Sequence, residues 1–139
     1  MKTLERMLSM AQLTLDTERR ALSDLEAVRE DLANRIIRID GEIASEMAAA
    51  ETNPELLRTL SEYLRAARDR QARLRNSIAD LDAQIEDARE KVSEAFREKK
   101  RFEQVLESRK AERKRRLDRR EQSRLDELGL QQRGQRAAS

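Results

Sequence analysis

Apolar residues recur along the chain at alternating spacings of four and three, and the pattern breaks once, around the chain's one proline, Pro54. Before the break, the apolar positions are Leu4, Leu8, Ala11, Leu15, Leu22, Leu25, Leu32, Ile36, Ile39, Ile43 and Ala50. After it, they are Leu57, Leu60, Leu64, Ala67, Leu74, Ile78, Leu81, Ile85, Ala88, Val92, Ala95, Phe102 and Leu106. We call these two sets, with the polar residues that interrupt them, the seam. A seven-residue repeat of this length predicts two long helices, each supercoiled against a partner helix.

The stretch 51–54 is predicted to be the turn between the two helices. Thr52 followed by Glu55 has the pattern of a capping box, and Pro54 at the first helical position offers an alternative start. A proline also pushes the preceding residue out of the helical region. We therefore expect the first helix over about residues 2–50 and the second from residue 54 onward.

Two arms of similar length joined by a short turn bury both halves of the seam most simply by folding back on each other. The predicted fold is all-α, with two long helices in an antiparallel coiled-coil hairpin over residues 1–108. Its register is left open between a reflection at Glu51 and Thr52, which pairs Ile36 with Ala67, and a shift by one heptad. An antiparallel dimer that buries the same seam is also left open.

Polar residues occupy five seam positions, namely Glu18, Arg29, Glu46, Gln71 and Lys99. Coiled coils use such residues to fix register at a cost in stability, and long charged side chains extend their ends to water. We interpret them as structural positions and not as a site.

The apolar seam ends at Leu106, and basic residues take over its spacing. The positions that would continue it are Arg109, Arg113, Arg116 and Arg120. Residues 109–120 carry eight basic and two acidic side chains. Gly129 offers a helix stop, so we expect a basic helical extension over 109–128 that overhangs the hairpin, followed by a flexible tail over 129–139.

Composition restricts the chemistry that the chain can perform. It has no cysteine and no histidine, 42% charged and 2% aromatic residues, and three scattered glycines. Thiolate or imidazole sites and a phosphate-binding glycine loop are therefore not expected. The longest aliphatic run, residues 47–50, is far too short to span a membrane. We predict a soluble protein, not secreted by a cleaved signal, that is not an enzyme and has no catalytic, metal or cofactor-binding residues.

The basic segment fits an acidic protein surface, a nucleic acid or an anionic membrane. It has no aromatic residues on which bases could stack, which weakens the nucleic-acid interpretation. Near the turn, Tyr63 either flanks the seam or serves as an exposed anchor for a partner.

Four short elements resemble the flagellar FliJ family of type III export proteins. They are Tyr63-Leu64, Phe96-Arg97-Glu98-Lys99-Lys100, Arg116-Leu117-Asp118 and Leu125-Asp126-Glu127-Leu128. The resemblance implies a cytoplasmic two-helix stalk similar to the γ shaft of rotary ATPases. One end would enter the hexameric export ATPase, and another part would contact the transmembrane export-gate protein and export chaperones.

On this resemblance, the chain would lie at the inner face of the cell membrane, held there by its partners. The residues expected to bind the ATPase are Arg109, Arg113, Arg116, Arg120, Asp126 and Glu127, and those expected to bind the gate are Tyr63 and Leu64. The equivalent stalk of a virulence-type secretion system is a near alternative. A hairpin that binds nucleic acid or anionic membranes through residues 109–120 is the alternative from another class.

Overall fold

Two helices account for nearly all of the chain. The computed structural model describes residues 1–138, with α1 over Lys2–Ala50 and α2 over Pro54–Ala138. The two helices pack against each other, which confirms the all-α prediction. α1 ends at Ala50 and α2 begins at Pro54, the boundaries that the proline and its neighbouring residues predicted.

The turn between the helices is closed by local hydrogen bonds. The backbone N–H of Thr52 and its Oγ1 hydroxyl both donate to the carbonyl of Ala49, at 3.4 and 3.3 Å. Asn53 Oδ1 accepts from the backbone N–H of Glu55 at 3.1 Å, so Asn53 is the N-cap and Pro54 the first helical residue. Of the two predicted starts the proline start is therefore correct, and the capping box beginning at Thr52 is wrong.

The chain divides into two compact units. Leu13–Phe96 contains the turn and is called the tip unit below. Met1–Gln12 together with the part of α2 that begins at Arg97 is called the terminal unit.

One buried cluster of the tip unit lies near the turn. Ile39, Ile43 and Ala67 form a buried cluster, against which three partly buried side chains pack, those of Tyr63, Leu64 and Leu74. The first register would have set Ala67 beside Ile36, and this pairing is wrong. A cluster with Ile43, seven residues further on, fits the register shifted by one heptad.

Polar contacts across the tip unit fit the same shifted register. Arg29 pairs with Asp82, while Gln71 Nε2 donates to Asp40 Oδ1 at 2.7 Å and to the carbonyl of Ile36 at 3.1 Å. Partners thus descend along α2 as they ascend along α1. Gln71 is only 3% exposed, and these two bonds satisfy its buried amide.

The buried side chains coincide with the predicted seam. They are Leu4, Ala11, Leu15, Ile39, Ile43, Ala50, Ala67, Gln71, Ile85, Ala88, Ala95 and Leu106. Among the apolar seam residues Leu57 is exposed, at 61%, and Leu56 is partly buried instead. α1 has already ended at Ala50, so no helical residue of α1 continues the seam opposite the first turn of α2.

Burial along the tip unit is uneven. Between Leu15 and Ile39 of α1, and between Gln71 and Ile85 of α2, the structure buries no side chain fully. The apolar seam residues in these intervals are only partly buried. Close packing is therefore concentrated towards the two ends of this unit.

Burial on α2 ceases after Leu106, and residues 107–128 are all exposed. The helix nevertheless continues past Gly129 to Ala138, so the predicted end near Leu128 is wrong. A glycine stops a helix by adopting positive φ, and no described glycine does so. Gly129 therefore remains an ordinary helical residue.

Replacing Gly41 by alanine is expected to stabilise the protein. A Cβ at Gly41 would meet no atom within 4 Å, and the residue lies inside α1. The Gly41→Ala variant should gain about 1 kcal/mol in the free energy of unfolding, because alanine loses less backbone entropy in a helix. Urea unfolding followed by circular dichroism measures this gain.

Gly134→Ala is the matched control. Its added Cβ also meets nothing, but Gly134 lies far beyond Leu106, the last buried residue of α2. The unfolding midpoint of this variant should stay unchanged. A lower midpoint for Gly41→Ala would show that α1 bends at Gly41.

Candidate partner-binding surfaces

Four arginines line one face of α2 in the terminal unit. Arg109, Arg113, Arg116 and Arg120 follow one another at spacings of four, three and four, which places them on one side of a helix. All four are exposed. We call them the arginine face.

The arginine face borders the beginning of α1. Its four side chains line an open depression together with Met1, Glu112 and Leu117. The first residue of the chain therefore lies beside the arginines that continue the seam. This depression is a shallow surface and not an enclosed pocket.

Little negative charge offsets these arginines. Arg116 Nη2 lies 3.9 Å from Glu112 Oε1, one helical turn away. Within residues 1–138, no carboxylate oxygen approaches a guanidinium nitrogen of Arg109, Arg113 or Arg120 closely enough for an ion pair. The face therefore presents a positive potential that favours acidic partners.

The acidic residues implied by the resemblance lie further along α2. Asp126 and Glu127 are both exposed, and Asp126 Oδ1 accepts a hydrogen bond from Gln122 Nε2 at 3.3 Å. At helical spacing Glu127 falls seven residues after Arg120 and shares its face, whereas Asp126 points to another side. The structure thus groups Glu127, but not Asp126, with the arginines.

Exposed leucines lie on α2 beyond the seam, and the heptad pattern alone did not predict them. Leu117, Leu125 and Leu128 are 54%, 57% and 46% exposed. Their spacing of eight and three residues, which lies close to a helical repeat, was the signal that could have identified them. They supply apolar contact area among the charged side chains of this part of α2.

Tyr63 and Leu64 belong to the packing of the tip unit. Both are partly buried and lie against the cluster of Ile39, Ile43 and Ala67. Tyr63 therefore flanks the seam, which is one of the two interpretations that the sequence left open, and it is only partly exposed. A role of either residue in binding the export gate stays a prediction.

An ion pair with two hydrogen bonds links the helices in the middle of the tip unit. Arg29 Nε and Nη2 both donate to the carboxylate of Asp82. The hydrogen bond from Arg29 lowers the pKa of Asp82 below its ordinary value, and the same bond raises the pKa of Arg29. Arg29, predicted as a polar seam residue, is thus exposed and paired.

This pair gives a pH-dependent prediction. Because the pKa of Asp82 is depressed in the folded state, its contribution to stability is present above the unfolded pKa and is lost as the pH falls through the folded pKa, below about 4. Arg29→Gln should raise the pKa of Asp82, measured by NMR titration of its carboxylate. The free energy of unfolding of this variant should also fall less steeply on acidification than that of the unchanged protein.

Arg75→Gln controls for the loss of one positive charge. Arg75 is exposed and makes no ion pair with another residue in the described range 1–138. The titration of Asp82 should be unchanged in this variant. An equal shift in both variants would assign the depression to general charge and not to the pair.

Other site types are poorly supported by the described residues. Across residues 1–138 no group of three or more acidic side chains is arranged to hold a metal ion. In the same range, neither helix contains a stretch apolar enough to cross a bilayer. The exposed arginine face is therefore the surface with the clearest chemical character.

Comparisons with known proteins give one result. The sequence model of the family described as "Flagellar FliJ protein" matches residues 1–138. Searches of the curated proteins and of the solved structures each found no match.

Proposed function

Because this chain belongs to the flagellar FliJ family, whose members are non-catalytic components of flagellar protein export, we propose that it is a stalk that couples the export ATPase to the export gate. The resemblance predicted from the short motifs is confirmed by the family match. Membership places the chain in flagellum biogenesis, protein export and motility.

The proposed architecture is an antiparallel coiled-coil hairpin with an overhanging basic helix. The descending order of partners across the tip unit supports the antiparallel arrangement. The loss of burial after Leu106 supports the overhang. The flexible tail over 129–139 stays a prediction, and its described part is helical.

The observation that carries the proposal is the exposed and largely unpaired arginine face. Its charge suits an acidic cavity of the ATPase ring better than a nucleic acid, because no aromatic residue follows Phe102. Coulombic attraction would speed association and orient the helix as it enters the ring. Asp126 and Glu127 would then lie further along the inserted helix.

The tip unit would carry the remaining contacts. We assign binding of the transmembrane export-gate protein and the export chaperones to this paired part, with Tyr63 and Leu64 as gate-facing positions. Each keeps part of its surface exposed while it packs against the seam. The chain would be cytoplasmic and held at the inner face of the membrane by these partners.

The direct test is titration of the chain into the purified export ATPase of the same flagellar system. We expect hydrolysis to be stimulated at about 0.15 M salt and the stimulation to weaken as salt shortens the Debye length. Stimulation that is absent at every salt concentration, with no co-sedimentation of the two proteins, would refute the proposal.

A second candidate function rests on the charge of residues 109–120, where eight basic side chains face two acidic ones. Such a segment also binds nucleic acids or anionic membranes. Duplex DNA and anionic vesicles, added as competitors in the titration, separate the two functions. Strong binding to either one, without ATPase stimulation, would favour the second.

A further inference from the structure

The arginine face continues the strip of α2 on which the seam lies. Leu106 is followed at spacings of three and four by Arg109 and Arg113. Leu106 and Leu4, both in the terminal unit, are buried. From Arg109 onward the same strip is exposed, and Met1 of α1 lines the depression where the change occurs. One strip of α2 is thus covered up to this point and bare beyond it.

We propose that the arginine face is the binding surface for a second helix, which an acidic partner supplies. This helix lies along α2 from the point where α1 begins. This helix carries carboxylates at spacings of four and three that match the arginines. The inference rests on the proposed function, in which the partner is the export ATPase, and it specifies the form of the receiving surface.

The geometry favours a helix over a flat acidic surface. From Arg109 to Arg120 the face is about 17 Å long at the helical rise per residue, with its cations in one line. A helix with carboxylates at the a and d positions of a heptad presents charges along a matching line. Exposed Leu117 borders this line in the same depression and gives the partner an apolar contact.

The test uses the full chain and two labelled alanine-based peptides of about 20 residues, long enough to be helical when bound. Both contain the same number of glutamates. In one peptide the glutamates occupy a and d positions, and in the other they are distributed around the helix. Fluorescence anisotropy should show the first peptide binding about tenfold more tightly than the second.

Two triple variants locate the binding strip. Arg113→Glu, Arg116→Glu and Arg120→Glu together should abolish binding of both peptides. The matched triple of Lys114→Glu, Arg115→Glu and Arg119→Glu makes the same charge change on other sides of α2. It should weaken both peptides while keeping their ratio. All six positions are exposed and lie outside the buried seam.

Equal binding of the two peptides would overturn the inference, since it would leave only general attraction to negative charge. Tighter binding of duplex DNA or of anionic vesicles than of the spaced peptide would overturn it as well. Failure here is distinguishable from failure of the proposed function. ATPase stimulation with equal binding of the two peptides refutes only the binding of a helix to the arginine face. Tighter binding of the spaced peptide without ATPase stimulation refutes the ATPase role.

Discussion

Reversing Arg113, Arg116 and Arg120 together to glutamate is expected to abolish stimulation of the export ATPase and swimming motility. Three attractive contacts with an acidic cavity become repulsive, so association should weaken about a hundredfold or more. The variant should keep its helical content, because these side chains are exposed and glutamate is a good helix former. Hydrolysis assays, swimming assays and circular dichroism measure the three outcomes.

The matched triple of Lys114, Arg115 and Arg119 to glutamate separates position from charge. It should reduce stimulation moderately and leave some motility, because the arginine face remains intact. Unchanged stimulation by the first variant at physiological salt would show that the arginine face does not enter the ring. The ATPase-binding surface would then have to lie elsewhere on the chain.

Truncating Ile39 to alanine is expected to weaken the packing of α1 against α2 severely. Ile39 is 8% exposed and clusters with Ile43 and Ala67. A two-helix seam offers few neighbours that could move into the cavity. The free energy of unfolding should fall by about 2 to 4 kcal/mol. Urea unfolding followed by circular dichroism measures the change.

Ile37→Ala is the matched control for this prediction. The same side chain is removed two residues away, at a position that is 65% exposed. Its effect on unfolding should stay within about 0.5 kcal/mol. Equal losses in the two variants would mean that Ile39 does not face the seam in solution.

The helices and the buried side of each were predictable because a heptad pattern states which residues face a partner. The register was not, since Ala67 fits opposite Ile36 or Ile43 equally well by size. Specific polar bonds accompany the observed choice, among them those from Gln71 to Asp40 and from Arg29 to Asp82. A pattern of apolar and polar positions does not show which polar side chains are long enough to bond across the two helices.

The sequence-based predictions failed where a local signal holds only under a condition that the sequence does not show. Gly129 ends a helix only if it adopts positive φ, and a sequence does not reveal which glycines do so. Leu57 matched the heptad by spacing, but burial also requires a residue of α1 opposite it. For Tyr63 the sequence left two interpretations open, and the structure packs its side chain against the seam.

The candidate site was predictable in composition but not in extent. The spacing of the arginines was evident from the sequence, and the structure adds that they are exposed. Where the bare strip begins depends on the register. In the unshifted register Leu4 would lie near Lys99, and the bare strip would start about one heptad earlier. The depression beside Met1 instead places this boundary at Arg109.

The uneven burial of the tip unit has a consequence for how the two helices separate. No side chain is fully buried between Leu25 and Ile39 of α1 or between Gln71 and Ile85 of α2, so this middle section is held by half-covered apolar side chains and by the pair of Arg29 with Asp82. Amide hydrogens there should exchange with solvent through local openings that require less free energy than global unfolding. The helices can then part in the middle and close again while the packed ends preserve the register.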